Sequence, residues 1–303
     1  MTKKIRLSLI RPEDVLALLM ILPSVWVTSP SEYYYLFNGN IVVSKHLTAL
    51  MLLFLFAIFT ALYENRIQRI IDTIKSGVKI PAVTINDQIV YLWRNKFRIL
   101  YVIRDYLPFL ICVIAYHRLT IFIPEVEMKD SVIDRIFMSF DRFMIEDLRL
   151  WALAWIGNHL WIKDLISLSY KTSFLAVPIL ATYLYMLKEF DKFRQFMLAI
   201  SIGTLLSLLL SIMMPCLGLE SVIKNINSNL TGSISLPAVY TATVLFYSFK
   251  FNKTLALFYL PISILFFIAD ILSYSNYLLS ITLSLLIGYL AIPIAKYVKG
   301  VWT

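Results

Sequence analysis

The chain has 303 residues, of which 59% are hydrophobic and only 16% charged. Soluble globular domains carry about 25% charged residues, so too little polar surface is present to cover such an apolar interior. The net charge of +9 raises the question of nucleic acid, but the placement of the bases answers it differently.

A crossing needs roughly 20 apolar residues, and hydropathy yields eight candidate spans. The first, residues 15–35, is interrupted by Pro23 and Pro30. The others are 41–63, 99–123, 165–187, 196–216, 236–249, 255–274 and 277–297. A cleaved signal peptide competes for the first segment, yet no small-residue cleavage site follows it. Bases cluster before the first span, around Arg66–Arg98, at Lys188–Arg194, at Lys250 and Lys253, and at Lys296 and Lys299. With eight crossings all of these fall on one side, which predicts an integral membrane protein with both termini cytoplasmic. Glu125, Glu127, Asp130, Asp134, Asp141, Glu146 and Asp147 fall on the other side.

Two connections have helical apolar spacing. Ile67, Ile70, Ile71, Ile74 and Val78 oppose Arg66, Arg69, Lys75 and Lys79, as in a basic helix on an anionic inner leaflet. On the outer side Ile133, Ile136, Phe137, Phe140 and Phe143 form a stripe, followed by Trp151, Trp155 and Trp161 in the manner of an aromatic belt. Two cysteines, Cys112 and Cys216, in apolar stretches exclude a disulfide scaffold, and no HExxH, P-loop or glycine-rich nucleotide motif occurs. Neither a cofactor nor a metal nor a nucleic acid is expected.

From Arg104 onward the order of features resembles the type 2 phosphatidic acid phosphatase superfamily, in particular its inositol phosphorylceramide synthase-like (inositolphosphotransferase) branch. The letters are Arg104-Asp105-Tyr106-Leu107-Pro108, Tyr116-His117, Asp141-Arg142-Phe143, the stretch 161–178 with Tyr170, Phe193-Arg194-Gln195-Phe196 and Pro215. The resemblance implies a six-helix core, here residues 99–303, with two helices added in 1–63 and a basic cytoplasmic loop at 64–98.

In that family a P-S-x-H motif opens one span and H-Y-x-x-D the last. The second His attacks phosphorus, the Asp orients it and the first His protonates the leaving group. The corresponding stretches here read Pro237-Ala238-Val239-Tyr240 and Asn276-Tyr277-Leu278-Leu279-Ser280. Tyr240 replaces one His, Asn276 the other and Ser280 the Asp, so the catalytic letters are degenerate. Lys4 and Arg11-Pro12 match the family's K-x6-R-P spacing, but they precede the first span on the opposite side and cannot share a cavity with Pro237.

Three further residues are candidates for function. Asp270 is an ionisable group within an apolar span, where a carboxylate is costly, and its ordinary role is a bond to Ser273 or Tyr274. His117 and His159 flank the expected cavity and could supply a relocated acid or base, or simply bond water and backbone. The sequence thus predicts an all-α polytopic protein of about eight transmembrane helices. Its first reading is a degenerate superfamily member that binds a lipid or isoprenoid phosphate at the outer leaflet or acts as a membrane scaffold. The others are an active lipid phosphatase or headgroup phosphotransferase with relocated residues, and a transporter or membrane-complex subunit. Membrane lipids are the expected partners, and the oligomeric state stays open.

Overall fold

A computed structural model describes residues 11–27, 96–121, 132–157, 159–214, 234–272 and 277–302. Among these the chain is wholly helical, with eight helices. They are α1 (Pro12–Val27), α2 (Lys96–Ile121), α3 (Val132–Gly157), α4 (Leu160–Met186), α5 (Phe190–Met213), α6 (Leu236–Phe251), α7 (Lys253–Leu272) and α8 (Leu278–Trp302). Each expected span overlaps one of them except 41–63, which lies outside the described residues together with 28–35 of the first span and 64–95 of the basic loop; Lys96 and Arg98, expected in that loop, open α2 instead. The eighth described helix, α3, is the amphipathic segment that was expected on the outer side. Three helices, α5, α7 and α8, are long and apolar enough to cross a membrane. At 16 residues, α6 falls short of the usual length.

Helix α5 is the centre of the bundle and touches α1, α2, α4, α6 and α8. It is apolar around its whole circumference, as a helix enclosed by others must be. Its polar residues are small and satisfied locally: Ser201, Thr204 and Ser207 donate to the carbonyls four residues back at 3.0, 2.9 and 2.7 Å. Small residues also bring α6 and α8 together. A Cβ added at Gly288 would lie 2.7 Å from Ala242 Cβ and 2.8 Å from the Val239 carbonyl oxygen. Only glycine permits this approach, in the manner of small-residue packing between membrane helices.

One end of the bundle gathers charge. Arg11 pairs with Asp105, and Lys299 reaches Asp191 at 3.2 Å. At the same end Asn252 donates to the Tyr183 hydroxyl at 3.1 Å, and the Tyr106 and Thr182 hydroxyls meet at 3.1 Å. The α4–α5 turn closes there as a Schellman motif, with Glu189 N–H on the Leu184 carbonyl and Lys188 N–H on that of Tyr185. Lys188 adopts φ 58° in this turn, a conformation that favours glycine. Arg11, which belongs to the apparent K-x6-R-P spacing, is therefore engaged in an ion pair at the basic end.

Candidate functional site

The other end of the bundle carries the starts of α6 and α8, whose helices pack directly on each other. Ser235 caps α6 by accepting the Ala238 N–H at 3.3 Å, with Pro237 in the first turn, where a missing N–H costs nothing. The Ser235 N–H in turn donates to Ser284 Oγ at 3.0 Å, and Ser284 donates to the Ser280 carbonyl at 2.8 Å. These bonds tie the first turns of α6 and α8 side by side.

Tyr240 lies one turn into α6, and its side chain enters the bundle instead of opening to the surface. It is 5% exposed and packs on Phe109 with ring centroids 6.0 Å apart. Its hydroxyl lies 2.9 Å from Thr204 Oγ1. Since Thr204 gives its own proton to the Ile200 carbonyl, Tyr240 is the donor. Ser280 is fully buried, and its Oγ has no hydrogen-bond partner among the described residues. Asn276 lies outside the described residues.

A feature that sequence reading missed stands at the start of α8. The Asp141 carboxylate accepts the Leu278 backbone N–H at 2.8 Å and is paired with Arg149 at 3.1 Å. Beside it the Tyr277 hydroxyl donates to Asp134 at 3.3 Å, and the Tyr277 ring meets Phe137 edge-on at 5.6 Å. The positive end of α8, an anion-binding position by its orphan N–H groups and dipole, is thus held by the chain's own carboxylate. Burial pushes the Asp141 carboxyl above its ordinary range, while the Leu278 N–H and Arg149 act in the opposite direction. Asp134, Phe137 and Asp141 recur at helical spacing, a signal that could have separated them from the rest of the outer stripe. The stripe accordingly divides: Phe137 is buried, whereas Ile136, Phe140 and Phe143 are exposed.

The remaining candidates are dispersed. Asp270 is fully buried near the end of α7, while Ser273 and Tyr274 lie outside the described residues. His159 precedes α4, with Nδ1 2.8 Å from the Trp155 carbonyl oxygen and its ring against Trp155 at 4.7 Å. That is the ordinary backbone-bonded arrangement. His117 is in α2, but its side chain lies outside the description, as do Tyr170's side chain and Cys216. Cys112 is buried in the core.

Residues 135–228 match the family model of the PAP2 superfamily. No curated protein and no solved structure matches the chain. The matching stretch runs from α3 through α5 and ends before Pro237, so it contains none of the four positions that the sequence order set against the catalytic motifs. It begins after Arg104 and stops before α6, a shorter likeness than the sequence order suggests. Over those residues the chain is similar to the PAP2 superfamily, and three of its described helices are apolar and long enough to cross a membrane.

Proposed function

We propose that this chain is a multi-pass membrane protein built on the PAP2 frame, in its inositolphosphotransferase-like form, which no longer carries out phosphohistidine chemistry. It binds a lipid or isoprenoid phosphate at the outer leaflet, or holds other components there as a scaffold. The observation that carries this reading is the orientation of Tyr240. A general acid must reach its leaving group, and this phenol is packed against Phe109 and hydrogen-bonded to Thr204. The Asp141 carboxylate at the start of α8 adds to it, because the Leu278 N–H that a phosphate would use at that helix end is already taken by the chain's own side chain. The basic residues at the opposite end support a cytoplasmic location for both termini.

The test is turnover by the purified protein on phosphatidic acid and on isoprenoid pyrophosphate. The expected result is no release of phosphate above the level without protein. Turnover that disappears on replacing His159 or His117 would establish the relocated-site enzyme in its place. Turnover indifferent to both replacements would also overturn the reading.

A further inference from the structure

Helix α3 has a second face. Arg135, Met138, Ser139, Arg142 and Phe143 line an open groove of about 450 Å³. Their spacing places them along one side of the helix, distinct from the Asp134–Phe137–Asp141 side that docks on α8. Seven residues of helix separate the two arginines, a rise of about 10 Å. Ser139 lies between them and donates its hydroxyl to the Ile136 carbonyl at 2.9 Å, so the middle of the groove is occupied by a small, folded-down side chain. Phe143 is 87% exposed. Further along, Trp151 and Trp155 stack with ring centroids 6.5 Å apart and are exposed as well. So much aromatic and apolar surface beside charged groups fits the boundary between acyl chains and headgroups. Glu146, exposed one turn beyond Arg142, limits the favourable region for an anion to the stretch between the two arginines.

The geometry points to this groove as a docking site for an anionic phospholipid. The lipid's phosphate would lie between Arg135 and Arg142, and its acyl chains along Met138 and Phe143. Guanidinium forks match phosphate oxygens in pairs, which supplies the charge complementarity. The exposed Phe143 wall favours a lipid over a water-soluble phosphate, which would leave that wall unused. The inference rests on the reading of the chain as a membrane protein with a lipid-phosphate ligand. It places that ligand on α3, away from Tyr240.

The test uses the full chain reconstituted in phosphatidylcholine vesicles, with tryptophan fluorescence quenched by brominated phosphatidic acid or brominated phosphatidylcholine. The expected result is a several-fold preference for phosphatidic acid, which falls markedly in an Arg135→Gln/Arg142→Gln variant. An Arg135→Lys/Arg142→Lys variant should retain most of the preference, and Ser139→Leu, which fills the groove but keeps both charges, should weaken it. Equal quenching by the two lipids in the wild type would overturn the site. So would a preference unchanged by the glutamine pair, one lost equally with the lysine pair, or one untouched by Ser139→Leu. Displacement of the lipid by soluble glycerol phosphate would overturn the commitment to a lipid. None of these results depends on turnover, so loss of the lipid site leaves the proposal of lost chemistry standing, and detection of turnover leaves the lipid site standing.

Discussion

The Asp141 carboxylate of α3 holds the backbone N–H of Leu278, the first residue of α8, at 2.8 Å. A helix packed against α8 therefore supplies the cap for the last helix of the bundle. Arg149 backs the same carboxylate, and both side chains of the pair are nearly inaccessible. Breaking a buried pair from one side costs about 3–5 kcal/mol, because the remaining charge stays where it was. Asp141→Ala should lower stability by that order in detergent thermal melts. Asp141→Asn, which keeps an oxygen for Leu278, should cost less. Equal melting of Asp141→Ala and wild type would show that α3 does not brace α8.

The same carboxyl predicts a pH effect. Burial holds its folded-state pKa above the ordinary 3.8. The folded protein then binds this proton more readily than the unfolded chain does, so its contribution to stability grows as pH falls through the folded value towards 3.8 and is lost as pH rises. The difference in melting temperature between wild type and Asp141→Asn should change in the wild type's favour over that window. A constant difference would contradict the assignment.

At Gly288 a methyl group would meet Ala242 Cβ and the Val239 carbonyl, and backbone cannot step aside as a side chain can. Gly288→Ala should destabilise by about 1–3 kcal/mol through overpacking of α6 against α8. An unchanged melting temperature would mean that the two helices are not in close contact.

Lys188, in the left-handed turn between α4 and α5, should respond in the opposite sense. Lys188→Gly relieves a conformation that costs an L residue about 1–2 kcal/mol, and should raise the melting temperature. A lower melting temperature would contradict the turn geometry.

For orientation, single cysteines in a background lacking Cys112 and Cys216 should be labelled from outside at position 228 and not at position 76. The reverse pattern would invert the proposed topology.

Much of the helical frame was legible because crossings are long apolar runs, and α5, α7 and α8 stand where such runs occur. The site was less legible. The letters Pro237, Tyr240 and Ser280 mark positions on helices, but α6 has apolar residues on every side, so its sequence does not disclose that Tyr240 turns towards Thr204. Asp134 and Asp141 read as outward charges because their partners, Tyr277 and Leu278, are far along the chain. The Arg11–Asp105 pair escaped for the same reason: a contact between α1 and α2 leaves no local spacing to find.

The central claim is that no residue of this chain takes up a phosphoryl group. Alkali-quenched trapping tests it most directly: the purified protein is mixed with phosphatidic acid or isoprenoid pyrophosphate radiolabelled in the phosphoryl group, and covalently bound label is measured at short times. The account predicts no label above that of heat-denatured protein, because Tyr240 is enclosed in the bundle and, in the proposed reading, Asn276 replaces the nucleophilic imidazole. An alkali-stable, acid-labile phosphohistidine on the wild type, absent after replacement of His159 or His117, would contradict it.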